Sequence, residues 1–157
     1  MKRPWNIVNM PVYSLATYGE EGVNMNICTY VTAVSRKPKL YAIALEEGSA
    51  SHENMQKCDE AVLQVFTSSQ QDLVRVLGKR TGHSFDKEEY LSRHGLLTRW
   101  HGKKVLGACA AYTLLLKQSV QPAGDHHLYV LRATRFSTIS ENNILMFQDL
   151  VKNKLIL

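Results

Sequence analysis

The chain has 157 residues, 45% of them hydrophobic and 21% charged, with 19 Lys and Arg against 14 Asp and Glu for a net charge of +5. That length can bury a core without staples, and the cysteines Cys28, Cys58 and Cys109 form no C-x-x-C pair, which argues against a disulfide framework or a metal site. The basic residues are scattered rather than striped with aromatics, so no nucleic-acid partner is expected, and the longest apolar run, residues 108–116, is too short to span a bilayer.

The opening MKRPWNIVNM has two basic residues and no apolar stretch behind them, so it does not read as a secretory signal. Cytoplasm is the expected compartment, and residues 1–157 are expected to form one domain. VYSLATY (residues 12–18) favours a strand and ends in the turn GEEG. VNMNICTYVTAVS (residues 23–35) predicts a second strand, RKPK a turn, and LYAIAL (residues 40–45) a third. Three strands on short connections predict an antiparallel meander.

GSASHENM (residues 48–55) then places small hydroxyl-bearing residues between a strand and a short helix. Two readings fit it. Ser51 serves as a helix cap, or Ser49, Ser51 and Asn54 gather an anion at the unpartnered amides of the helix start.

AVLQVFT (residues 61–67) predicts another strand. In QQDLVRVLGKR, Leu73, Val74 and Leu77 make one helical stripe, with Ser68 or Ser69 as cap and Gly78 near the end. Residues 81–104 are polar and read as a long loop with one helical turn at DKEEYL; such a loop is expected to cover a site or a partner. Residues 105–120 and 126–139 are long apolar segments around QPAGD, which predicts a β-hairpin, and NNILMFQDLVKNKLIL predicts a terminal helix. Six or seven strands with two or three short helices give an α+β fold, mainly β, best closed as a small barrel with helices outside.

In this order the segments resemble the flavin reductase-like family, whose fold is the FMN-binding split barrel. NICTYVTAVSRKPKLYAIAL is similar to the family's strand, proline turn and next strand, and SHEN to its hydroxyl-x-x-Asn helix start. LGKRTGHSFDKEEY is similar to its glycine stretch followed by a lysine, and GDHHLYVLRA to its Gly-Asp-His before a long strand. The resemblance implies a homodimer with FMN at the interface, NADH or NADPH as a transient co-substrate, and an electron acceptor that the sequence does not name. A carrier or sensing module that binds FMN with little turnover is the alternative.

On this resemblance Ser49, Ser51 and Asn54 hold the phosphate, while Thr29, Tyr30 and Thr32 lie along the flavin ring or its ribityl chain. His126 stands beside the reactive face, with His127 turned to the opposite side of the strand. Lys87 reaches phosphate or flavin, or else is a solvated charge at a helix start, and Arg80 carries the same two readings. Many relatives have threonine at the place of Ser51 with a basic residue before it; here Ser49 and Ala50 precede it. The remaining histidines, His52, His83, His94 and His101, lie in polar segments and are expected at the surface. No Rossmann fingerprint is present.

Overall fold

Side chains alternate strictly in the first strand: Leu15 faces one hydrophobic cluster and Ala16 another. That alternation organises the whole computed structural model, which describes residues 1–156. In chain order the elements are β1 (Tyr13–Gly19), β2 (Gly22–Met25), β3 (Val31–Arg36), β4 (Lys39–Glu46), α1 (Ala50–Lys57), β5 (Glu60–Val65), α2 (Leu73–Lys79) and α3 (Lys87–Arg93). They continue with β6 (Leu97–Trp100), β7 (Lys103–Leu106), β8 (Ala111–Ala123), β9 (His126–Thr138) and α4 (Phe147–Lys152).

Seven strands form one antiparallel sheet in the order β2-β1-β5-β8-β9-β4-β3, and β6 and β7 form a separate hairpin. The sheet curls on itself. Leu15 of β1 and Leu63 of β5 share a buried cluster with Ile43 of β4 and with Tyr129 and Leu131 of β9, so the two halves face each other. Residues 26–30 carry the chain from one sheet edge to the other. Midway, Cys28 exchanges backbone hydrogen bonds with Tyr13, and the Tyr30 carbonyl accepts from Ala44 N. The barrel is thereby closed by a crossing segment rather than by a continuous ladder. The fold is α+β, mainly antiparallel β, with short helices and a C-terminal helix.

The second cluster lies outside the barrel wall. Ala16, Val62 and Leu114 of the sheet pack there with Val74 and Leu77 of α2, Leu91 of α3 and Leu150 of α4. The outward face of β4 and β9 is different. Ala42 pairs with Val130 and Ala44 with Leu128, and all four stay half-buried. No helix among the described residues is long and apolar enough to cross a membrane.

Four expectations need correction. Residues 23–35 are not one strand but two, β2 and β3, on opposite sheet edges. Asn26 is the physical reason: its Oδ1 accepts from Leu15 N at 2.9 Å, taking the place of a ladder carbonyl, so β2 stops and the chain leaves. No three-strand meander forms. Residues 81–104 are not a loop with one turn but contain α3, capped by Asp86 through Glu89 N, and the β6–β7 hairpin, down to its second residue in β7. Residues 105–120 are interrupted between β7 and β8 at Gly107 and Ala108, the latter at φ 61°. The 3-10 turn Ser68–Gln70 precedes α2, whose cap is Asp72 rather than a serine. The last residue of the expected terminal helix, Leu157, lies outside the described residues.

Candidate functional site

A cavity of about 510 Å³ opens where α1, the crossing segment and the end of α2 meet. The first wall is the start of α1. Its cap is Ser49, whose hydroxyl accepts from His52 N at 3.2 Å, and not Ser51. The amides of Ala50 and Ser51 belong to the first turn, where no carbonyl of the helix can reach them. Ser51 Oγ accepts instead from Asn24 Nδ2 at 2.9 Å, which ties α1 to β2.

The segment after α2 lies against this helix start. His83 Nε2 hydrogen-bonds the Gly48 carbonyl at 2.8 Å, and Gly82 approaches both Asn24 and Ala50 so closely that a Cβ would collide with them. Lys79, the last residue of α2, and Arg80 after it line the same cavity. The positive charge missing immediately before Ser51 in the sequence is therefore present from another element. Arg80 also packs its guanidinium over the Phe85 ring at 4.6 Å.

Residues 26–30 form a second wall. Among the described residues, the backbone groups of Ile27 and Thr29 have no backbone partner, whereas those of Cys28 are paired with Tyr13. An exposed peptide edge of this kind recognises a flat ring with mixed donors and acceptors. Burial pushes the Cys28 thiol up to about 12, so it stays protonated and serves as core.

His126 completes the lining beside Tyr30, the two rings tilted at 59° with centroids 5.3 Å apart. Its Nδ1 lies 2.6 Å from Asp125 Oδ1. Glu46, opposite it on β4, and Glu47 lie in the same wall.

Lys87 sits under the floor and is only 5% exposed. Its ammonium donates to the Met25 carbonyl at 2.9 Å and the Leu77 carbonyl at 2.8 Å, joining the ends of β2 and α2. Burial pushes its pKa down to about 8. The solvated-charge reading of Lys87 is thus wrong.

The structure brings Thr29, Tyr30, Ser49, Ser51, Lys87 and His126 around this one cavity. It does not bring Thr32 or Asn54 there. Thr32 lies on the exposed edge strand β3, paired with Ala42. Asn54, one turn further along α1, donates to Thr17 Oγ1 at 3.1 Å and packs against Gly19. His52 is also corrected. It is 4% exposed, stacked on His127 and bonded to Tyr129, because α1 turns that side of itself into the barrel. Sequence reasoning missed Asn24 and Lys79 as site residues and read His83 only as a surface histidine, since each gains its place only by contact with a distant element.

The family model of the flavin reductase like domain matches residues 5–154. The chain belongs to the flavin reductase-like family. No curated protein matches this chain. Solved structures of similar fold include an FMN-binding protein from Thermus thermophilus with bound p-hydroxybenzaldehyde, 22% identical, covering 88% of this chain and 77% of that one with a TM-score of 0.78. The flavin reductase of styrene monooxygenase from Pseudomonas putida is 20% identical over 90% of this chain and 87% of its own, TM-score 0.75. An NADH:FAD oxidoreductase from Streptomyces globisporus, in complex with NAD and FAD fragments, is 15% identical over 92% of this chain and 84% of its own, TM-score 0.78. In this family member each segment whose sequence resembles the family contributes to the cavity, through residues 26–30, Ser51, residues 77–83 with Lys87, and His126.

Proposed function

We propose that this chain is a homodimeric FMN protein that accepts hydride from NADH or NADPH and passes the electrons on. The observation that carries the reading is the combination around one cavity of free helix-start amides with Lys79 and Arg80, an unpaired peptide edge, and His126. The first set suits a phosphate dianion. The second suits the pyrimidine edge of a flavin. The third adds an imidazole where a ring is to be oriented. The donor set fits FMN, and proteins of similar fold include an FMN-binding protein and an NADH:FAD oxidoreductase.

When bound, the flavin supplies a two-electron centre able to take a hydride. The chain's own residues do the rest. Ser49 fixes the helix start, so that its amides point at the phosphate. Lys79 and Arg80 balance the phosphate charge. The peptides of Ile27 and Thr29 orient the ring, and Tyr30 with His126 limits how a second ring can approach it. The half-buried face of Ala42, Ala44, Leu128 and Val130 supports dimerisation, because a sheet face of this kind is stabilised by a second copy.

Anaerobic addition of NADH, then NADPH, to the flavin-loaded protein tests the reading. Rapid bleaching of the visible flavin band is expected. Bleaching by dithionite alone would favour a carrier, and a protein that binds no FMN would defeat the reading entirely.

A further inference from the structure

His52 does two things at the first turn of α1. Its backbone N–H closes the helix cap by donating to Ser49 Oγ at 3.2 Å, while its side chain turns into the end of the barrel. The ring is 4% exposed and stacked on His127, with 4.2 Å between centroids, and its Nδ1 lies 2.7 Å from the Tyr129 hydroxyl. Met55, one turn further along α1, and Leu45, which pairs with His127, belong to the apolar cluster beneath. Ala50 and Ser51 line the cavity, and His52 beside them does not. One helical turn thus has a buried histidine stack on one side and the candidate phosphate site on the other.

A proton on this stack has nowhere favourable to go. Among the described residues no carboxylate pairs with either ring; Glu53 lies 3.7 Å from His83 Nδ1 instead. Glu46 of β4 pairs with His126, and Lys117 of β8 is engaged by the Met55 carbonyl and Asp59. The buried His127 Nδ1 has no hydrogen-bond partner. Burial, then His127, lowers the His52 pKa from 6.5, against the opposing pull of Glu47 and Glu53. A charged ring regains water only when the first turn of α1 lifts from the barrel. Lifting it also draws the His52 N–H away from Ser49, because one residue carries both contacts.

We propose that the His52–His127 stack is an acid-sensitive latch on flavin binding, in which a proton on the stack frees the first turn of α1 and dismantles the phosphate site. The proposal rests on the flavin reading above. The ring faces the barrel and not the cavity, so its charge gains no contact with the phosphate, and the effect travels through the position of the helix. With the turn freed, His52 takes up a proton that the flavin-bound chain excludes. Flavin affinity therefore falls as pH drops from 6.5 towards the lowered pKa, by up to about tenfold per pH unit for one proton.

Fluorescence titration of the full chain with FMN and with riboflavin, from about pH 8 to about pH 5, tests this in the wild type, His52→Gln and His127→Gln. A phosphate monoester takes up its own proton at about pH 6, equally in every variant, so the latch is the difference between the curves. The wild type is expected to lose FMN more steeply than His52→Gln, and riboflavin, which lacks the phosphate, should show no such difference. In His127→Gln the like charge is gone and the acid loss should begin at higher pH, which keeps the test decisive where His52→Gln fails to fold. Parallel FMN curves for the wild type and His52→Gln, or riboflavin lost together with FMN, overturn the proposal.

Hydrogen exchange of the flavin-free protein supplies a second readout. The His52 and Glu53 amides both donate to Ser49, and their protection should drop in acid in the wild type but not in His52→Gln. Unchanged protection overturns the latch. If FMN binds at no pH, the flavin reading itself fails, and the exchange still decides separately whether the stack holds the helix.

Discussion

The imidazole of His52 lies on that of His127 with ring centroids 4.2 Å apart and 24° between the planes, and the Tyr129 hydroxyl meets His52 Nδ1 at 2.7 Å. This stack joins α1 to β9 inside the barrel, one residue from Ser51. Among the described residues, the buried His127 Nδ1 has no hydrogen-bond partner.

Acid should therefore loosen the helix. Burial, followed by the neighbouring His127, lowers the His52 pKa below its ordinary 6.5. Between the lowered value and 6.5 the unfolded chain binds more protons, so stability falls as pH drops through that window. The melting temperature should decline below about pH 6.5 in the wild type. In His52→Gln the decline should be shallower, with lower stability at neutral pH.

Lys87 carries the same kind of cost in a higher pH window. With its pKa pushed down to about 8 from an ordinary 10.5, the folded protein releases a proton that the unfolded chain still holds. Stability contributed by this residue should rise with pH across that interval. Lys87→Met leaves the Met25 and Leu77 carbonyls without their donor, which should cost about 1–3 kcal/mol. Urea unfolding of both proteins at about pH 7.5 and about pH 10 checks both points, the wild type alone gaining at high pH.

Gly82 marks the tightest approach between the segment after α2 and the start of α1. An added Cβ would stand 2.8 Å from Ala50 Cβ and overlap Asn24 Oδ1. Asn24 can rotate away only by releasing Ser51. Gly82→Ala should cost about 1–3 kcal/mol by overpacking. Its FMN affinity should fall more than its stability alone would suggest, as a fluorescence titration would show.

The charges of Lys79 and Arg80 should act on the phosphate and not on the ring. The double variant Lys79→Ala with Arg80→Ala is expected to lose FMN affinity by about a hundredfold, at roughly 1.4 kcal/mol per charge-assisted contact. Riboflavin, which lacks the phosphate, should bind both proteins equally. Equal losses for the two ligands would remove these residues from the cradle.

Much of the barrel is local in origin. Period-two alternation in β1, β4 and β5, the glycine turn after β1, and the Gly124 turn between β8 and β9 all lie within a few residues of the elements they specify. Sequence therefore indicated β1, β4 and β5, the last long hairpin, a short helix after Gly48, and a mainly antiparallel α+β fold. It also brought Ser49 and Ser51 into view, since hydroxyls beside a helix start are chemical facts about the chain itself, whereas His126 came into view through the family resemblance.

The rest depended on long-range partners. Asn26 breaks a strand-like run only because Leu15 N is there to be accepted. Lys87 is a buried tie rather than a solvated charge because two carbonyls from other elements converge on it. His52 reads as polar surface until α1 docks and turns it against His127. Asn54 leaves the cavity for Thr17, and Lys79 enters it from a helix end that no local pattern links to Ser51. Sequence determined which groups were available; the closing of the barrel decided which of them would meet, because a side chain's chemistry is local but its partner is chosen by packing.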